Sequence, residues 1–201
     1  MEMEKMDMDG KFEVVRKLLM CNRSVRRFDG SRAVDYETLL KLVDLTRYCA
    51  SGRNAQPLRY RIVDSAEACE RLFPLLAWAG YYTDWSGPSE TERPVAYLIQ
   101  CLDTGITANQ HCDDGLQLEA ITLGATALGL NACIIKAFNA EKLSEVMDLP
   151  ARYRPLYVVA LGYAAEKTRI VEMPANGDFK YYRNAADEQC VPKRSLKELI
   201  I

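Results

Sequence analysis

Apolar residues recur at helical spacing at Phe12, Val15, Leu18 and Leu19, which predicts a short amphipathic helix over residues 11–20. A polar, cationic connection follows over residues 21–27. Asp35 is placed to cap a second helix whose buried stripe is Leu39, Leu42, Val43 and Thr46. The helical pattern then stops. Residues 50–56 are polar, and Pro57 closes them. Leu58, Tyr60 and Ile62 alternate with Arg59, Arg61 and Val63, the period of a half-buried strand. Ser65 is placed to cap a third helix reaching Phe73. Residues 80–94 read as one long irregular stretch carrying Tyr81, Tyr82 and Trp85, and loops of that length are commonly functional.

Residues 95–102 are apolar almost without a break, the pattern of a strand covered on both faces. The longest helical pattern runs over 110–128, with Leu116, Ala120, Leu123, Ala127 and Leu128 as its packing face. Gly129 supplies the left-handed stop. Residues 131–135 read as a strand, Asn139 as the cap of a helix over 140–147, and 156–161 as a further strand leaving at Gly162-Tyr163. The chain is polar and irregular beyond that point. The resulting order alternates helices and strands as an α+β or mixed-sheet fold does. The reading is one domain over 1–201, with residues 1–10 disordered and 164–201 forming a C-terminal arm.

Composition narrows the chemistry. Lys plus Arg is 26 against 28 Asp plus Glu, a net charge of −2 without the basic excess that nucleic-acid binding requires. No nucleic-acid partner is expected. His111 is the single histidine, which argues against multi-histidine metal centres, and no metal site is assigned. Seven cysteines without a C-x-x-C pair suit a reducing compartment. Residues 1–9 lack the apolar core of a signal peptide, and no apolar run approaches the ~20 residues of a membrane helix. The expectation is a soluble, cytoplasmic protein with no membrane partner.

Four stretches carry groups suited to a ligand. Arg23, Ser24 and Arg26 set two guanidiniums around a hydroxyl, suited to a phosphate or to a solvated face. Ser51, Asn54 and Gln56 offer donors and acceptors for the edge of a flat heterocycle, or simply build a turn. Lys136 and Ala137 leave a strand, and Lys193 with Arg194 forms a basic pair. There is no G-x-x-x-x-G-K-[ST], no G-x-G-x-x-G and no G-x-S-x-G. His111 and Cys112 are adjacent, and neighbours on a helix diverge, so they make a poor dyad. Asp113 and Asp114 suit the positive end of a helix.

In order, the stretches Arg23-Ser24-Val25-Arg26-Arg27-Phe28, Ala50-Ser51-Gly52-Arg53-Asn54-Ala55-Gln56-Pro57, Ala127-Leu128-Gly129-Leu130-Asn131-Ala132-Cys133, Ala160-Leu161-Gly162-Tyr163 and Val191-Pro192-Lys193-Arg194-Ser195-Leu196 resemble the FMN-dependent nitroreductase family. The resemblance implies an α+β fold with a central, mostly antiparallel sheet flanked by helices. It also implies an intertwined homodimer with FMN at the subunit interface. Carried over residue by residue, Arg23, Ser24, Arg26, Lys193 and Arg194 would hold the FMN phosphate. Ser51, Asn54 and Gln56 would reach the flavin from the partner subunit, and the Lys136 and Ala137 N–H groups would face its N5–O4 edge. Asn22 stands where a second basic residue is common, and Leu58 where tryptophan is. Arg53 and Lys136 add positive charge, suited to the reduced flavin or, for Arg53, to the phosphate of NADPH or an acidic substrate. The segment 80–94 is placed to form an aromatic lid.

The implied activity is ping-pong hydride transfer from NADH or NADPH through FMN to a nitroaromatic, quinone or similar acceptor. It needs no protein acid or base, and none is assigned. The alternatives are a flavin-binding or regulatory protein without nicotinamide-driven turnover, and a flavin-dependent specialist such as a dehalogenase.

Overall fold

The structure, a computed structural model, describes residues 7–201. Its centre is set by two strands, β2 (Ala96–Asp103), buried at every position, and β4 (Tyr153–Gly162). They pair antiparallel, with β1 (Leu58–Val63) on the free side of β2 and β3 (Asn131–Ile135) on that of β4. The order β1-β2-β4-β3 is antiparallel throughout. Pro155, which has no N–H, sits where the β2–β4 register shifts.

Alternation along the strands divides the core between two faces. Tyr97, Ile99, Cys133, Val158 and Ala160 pack with Leu72 of α3 (Ala66–Leu72) and Leu143 of α5 (Ala140–Val146). Leu98, Ala132, Val159 and Leu161 pack with Leu39 and Leu42 of α2 (Tyr36–Leu45) and with Leu118, Ile121 and Ala125 of α4 (Asp113–Ala127). The expected caps form. Asp35, Ser65 and Asn139 accept from the backbone N–H groups of Thr38, Ala68 and Lys142. Gly129 takes φ +75° just beyond α4.

Four readings change. Of the segment 1–10 expected to be disordered, residues 1–6 lie outside the described residues. Asp7 caps α1 (Met8–Cys21), so the helix begins three residues before the expected start at residue 11. That helix has no buried residue: Phe12 is 66 % exposed, and Val15, Leu19 and Met20 are also exposed. On α4, Leu118, Ile121 and Ala125 are buried while Leu116 and Leu128 are exposed. The helix is apolar on more than one side, so periodicity alone selects the wrong stripe. Finally, part of the presumed arm 164–201 is a second sheet, β5 (Thr168–Glu172), β7 (Gln189–Lys193) and β6 (Tyr182–Arg183), in the order β5-β7-β6. It returns to the same chain: Ala165 N–H donates to Arg27 O at 2.9 Å, and Cys190 is buried. Among the described residues, no helix is long and apolar enough to cross a membrane.

Candidate functional site

Residues 22–28 run along the outer edge of β3. Val25 N–H donates to Ala132 O at 3.0 Å, and Ser24 bridges to Ala132. Burial of Val25 and Phe28 anchors the segment and leaves Arg23, Ser24 and Arg26 towards a cavity of about 260 Å³. Glu119 and Thr122 of α4 form a second wall, Ala132 and Ile134 of β3 a third, and Tyr181 and Lys193 close it from the second sheet.

The cations here differ from their neighbours. Arg23 Nη2 donates to Leu19 O at 2.8 Å, while its buried Nε has no acceptor among the described residues. The Arg26 guanidinium lies 4.4 Å from the centre of the Tyr181 ring. Among the described residues, Arg23, Arg26 and Lys193 enter no ion pair, whereas Arg27 pairs with Asp187 at 2.6 Å and Arg194 with Glu198 at 3.3 Å. Among the described residues, Glu119 is the one carboxylate on the wall, and it accepts from Asn22 Nδ2 at 3.2 Å. Three cations, a hydroxyl and an unsatisfied guanidinium N–H against one carboxylate fit a dianionic phosphate. Arg194 is not among the lining residues: its charge is committed to Glu198.

A carboxylate that sequence reasoning missed holds this segment in place. The Glu166 side chain is 1 % exposed, accepts from the backbone N–H groups of Arg26 and Arg27, and pairs with Arg183. It lies 140 residues from Arg26, and no local pattern announces it.

Ser51, Asn54 and Gln56 do not line the cavity. They belong to a loop leading into β1, on the opposite edge of the sheet from β3, three strand spacings or roughly 14 Å away. The loop is fastened to the start of α4, where Ser51 Oγ donates to Asp113 Oδ2 at 2.5 Å. Glu119 and Thr122 lie six and nine residues further along that helix, roughly 9 and 14 Å. Asp113, 1 % exposed, therefore does more than face a helix dipole. His111 and Cys112 precede α4 rather than lying on it, and His111 has φ +53°.

Lys136 and Ala137 are exposed at the end of β3. Lys136 continues the two-residue alternation of Ala132 and Ile134, so it follows the cavity-lining side of the strand. Its Nζ is 5.2 Å from the Tyr157 ring centre. Part of the segment 80–94 packs on the second sheet: Tyr82 donates from its hydroxyl to Gln189 Oε1 at 2.5 Å and meets Tyr181 edge-on. Burial pushes the Tyr82 hydroxyl above its ordinary pKa.

Comparison with known proteins agrees with this architecture. The chain is 22% identical over 187 residues to YodC of Bacillus subtilis, a protein named provisionally as an NAD(P)H nitroreductase, covering 74% of this chain and 89% of YodC. Among solved structures, a nitroreductase family protein of Streptococcus pneumoniae superposes with a TM-score of 0.61 at 19% identity, covering 86% of this chain and 96% of that one. A provisionally named nitroreductase of Exiguobacterium sibiricum, solved in complex with FMN, superposes with a TM-score of 0.64 at 19% identity, covering 80% and 93%. The profile of the nitroreductase family matches residues 21–86 and 101–163, well over half of the sequence, and the chain belongs to that family.

Proposed function

We propose that the protein is an FMN-dependent oxidoreductase working as a homodimer, a soluble cytoplasmic enzyme of one domain. The observation that carries this reading is the cavity beside β3, where Arg23, Arg26 and Lys193 stand, among the described residues, without ion-pair partners around the Ser24 hydroxyl. When bound there, FMN supplies the redox chemistry: hydride accepted from NADH or NADPH and passed in a ping-pong cycle to a small acceptor such as a nitroaromatic or quinone.

The chain's own residues bind and orient. Arg23, Ser24, Arg26 and Lys193 neutralise the phosphate through charge-assisted hydrogen bonds. Lys136, just beyond β3 on the same side, would add positive charge for the flavin, and Ala137 would contribute its backbone N–H. The loop carrying Asn54 and Gln56 does not line the cavity of its own chain, which is compatible with a second copy supplying it. Exposed Phe12, Val15 and Leu19 of α1 and Leu116 and Leu128 of α4 offer apolar surface for that pairing.

The test is an anaerobic visible spectrum of purified protein, reconstituted with FMN where needed, before and after NADH or NADPH. The expected result is a bound-flavin spectrum that bleaches and returns on adding a quinone or nitroaromatic. A bound flavin that neither nicotinamide bleaches would instead make this a flavin-binding protein without turnover.

A further inference from the structure

Asp113 uses both carboxylate oxygens on one loop. Oδ2 accepts from the Ser51 hydroxyl at 2.5 Å and Oδ1 from the Gly52 N–H at 2.8 Å. Ser51 Oγ in turn accepts from the Gln56 N–H at 2.8 Å, which closes the loop from residue 51 to residue 56. Inside that closure Arg53, Asn54 and Gln56 hold φ of 55°, 54° and 48°, left-handed values that residues with side chains disfavour. Such a backbone persists where its surroundings over-determine it. Gly52 is part of the fit, since a Cβ there would stand 2.9 Å from His111 Cδ2.

The consequence separates residues that sequence reasoning grouped together. The Ser51 hydroxyl gives its proton to Asp113 and a lone pair to Gln56, so it is engaged within the loop. Asn54 and Gln56 are exposed, and their side chains meet each other, Gln56 Nε2 donating to Asn54 Oδ1 at 3.1 Å. We infer that Asp113 is a positioning residue for the FMN site: through Ser51 and Gly52 it fixes the pose in which Asn54 and Gln56 meet cofactor in the cavity of a second copy, and Ser51 is a strut rather than a ligand. This inference rests on the FMN reading above.

The test uses whole dimers assembled from two differently tagged chains, with FMN bound per dimer measured by fluorescence titration. The Asp113→Ala homodimer is expected to bind FMN at least tenfold more weakly than wild type. Ser51→Ala is expected to act likewise, and the double variant to be no worse than either alone. Pairing an Arg26→Ala chain with an Asp113→Ala chain is expected to leave one site of wild-type affinity, built from the intact cavity of one chain and the intact loop of the other. Placing both substitutions in one chain beside a wild-type partner is expected to leave none. General destabilisation by Asp113→Ala would weaken both sites and give no such recovery. Where Asp113→Ala does not fold, Ser51→Ala takes its place in both pairings. Wild-type affinity in the Asp113→Ala homodimer, additive losses with Ser51→Ala, or a mixed dimer without a tight site would overturn the inference alone. Wild-type protein that binds no FMN would overturn the FMN reading and this inference with it.

Discussion

Residues 22–28 and residues 51–56 are both short polar segments beside the same sheet, yet they dispose of their hydrogen-bonding groups in opposite ways. In the first, Arg23, Arg26 and Lys193 enter no ion pair among the described residues, and a buried guanidinium N–H has no acceptor. In the second, Asp113, Ser51, Gly52 and Gln56 satisfy one another while Arg53, Asn54 and Gln56 stay in left-handed conformations. Open charge suits affinity for an anion. Internal satisfaction suits a rigid shape presented to something else. The fastening of the first segment is displaced to its back, where Glu166 holds the backbone and leaves the side chains uncommitted.

That contrast predicts a graded series of effects. The largest belongs to Glu166→Ala, which leaves Arg183 and two backbone N–H groups without their buried acceptor. It should cost about 3–5 kcal/mol of stability in denaturant unfolding, with Glu166→Gln costing less. Arg26→Ala comes next and should weaken FMN binding by about 1.5–3 kcal/mol, the scale of a charge-assisted hydrogen bond. Because this loss concerns the phosphate, riboflavin affinity should hardly change, whereas loop variants should weaken FMN and riboflavin alike. Parallel titrations with both ligands separate the two segments, and equal losses in Arg26→Ala would erase the distinction.

Lys193→Ala should cost under about 1 kcal/mol of FMN affinity and shrink as salt rises, as expected of an exposed charge. Arg194→Ala, whose partner is Glu198, should leave FMN affinity unchanged. The smallest measurable effect concerns pH. Arg27, chiefly by its hydrogen bond, holds the Asp187 carboxyl below its usual value of 3.8. A depressed folded value means that this tie is fully present above the ordinary carboxylate range and is lost as pH falls through the folded value. Melting temperature measured from pH 5 to pH 3 should therefore fall slightly less in Asp187→Asn than in wild type.

Much of the main sheet can be read from the chain, because β2 is a continuous apolar run and β1 alternates, and the caps Asp35, Ser65 and Asn139 mark their helices. The second sheet cannot be read so, since its strands are short, β5 and β6 carry no buried residue, and the parallel β5–β7 pairing joins residues about twenty apart. The packing face of α4 is misread because Leu116 and Leu128 look as buried as Leu118 and Ile121 when only periodicity is weighed. At the site, charge and hydroxyl groups in a row are visible as letters. Their supports are not, because Glu166 meets Arg26 across 140 positions and Asp113 meets Ser51 across 62. Whether a given cation is free or spent, as Lys193 and Arg194 differ, is a property of those distant partners.

The distance in sequence between Glu166 and Arg26 also sets an order of events during synthesis. A chain made as far as Leu161 already holds β1 to β4 and much of both core layers. It still lacks Glu166, Tyr181 and Lys193, so the cationic segment has neither its backbone anchor nor the last wall of its cavity. A domain folds as a unit, so the site is complete only when these last residues join the rest. The anion site is thus the last part of the molecule whose residues are all in hand: a chain ending before Lys193 lacks one of its walls, so loading with a phosphate-bearing ligand reports on whether the chain has been made to its far end.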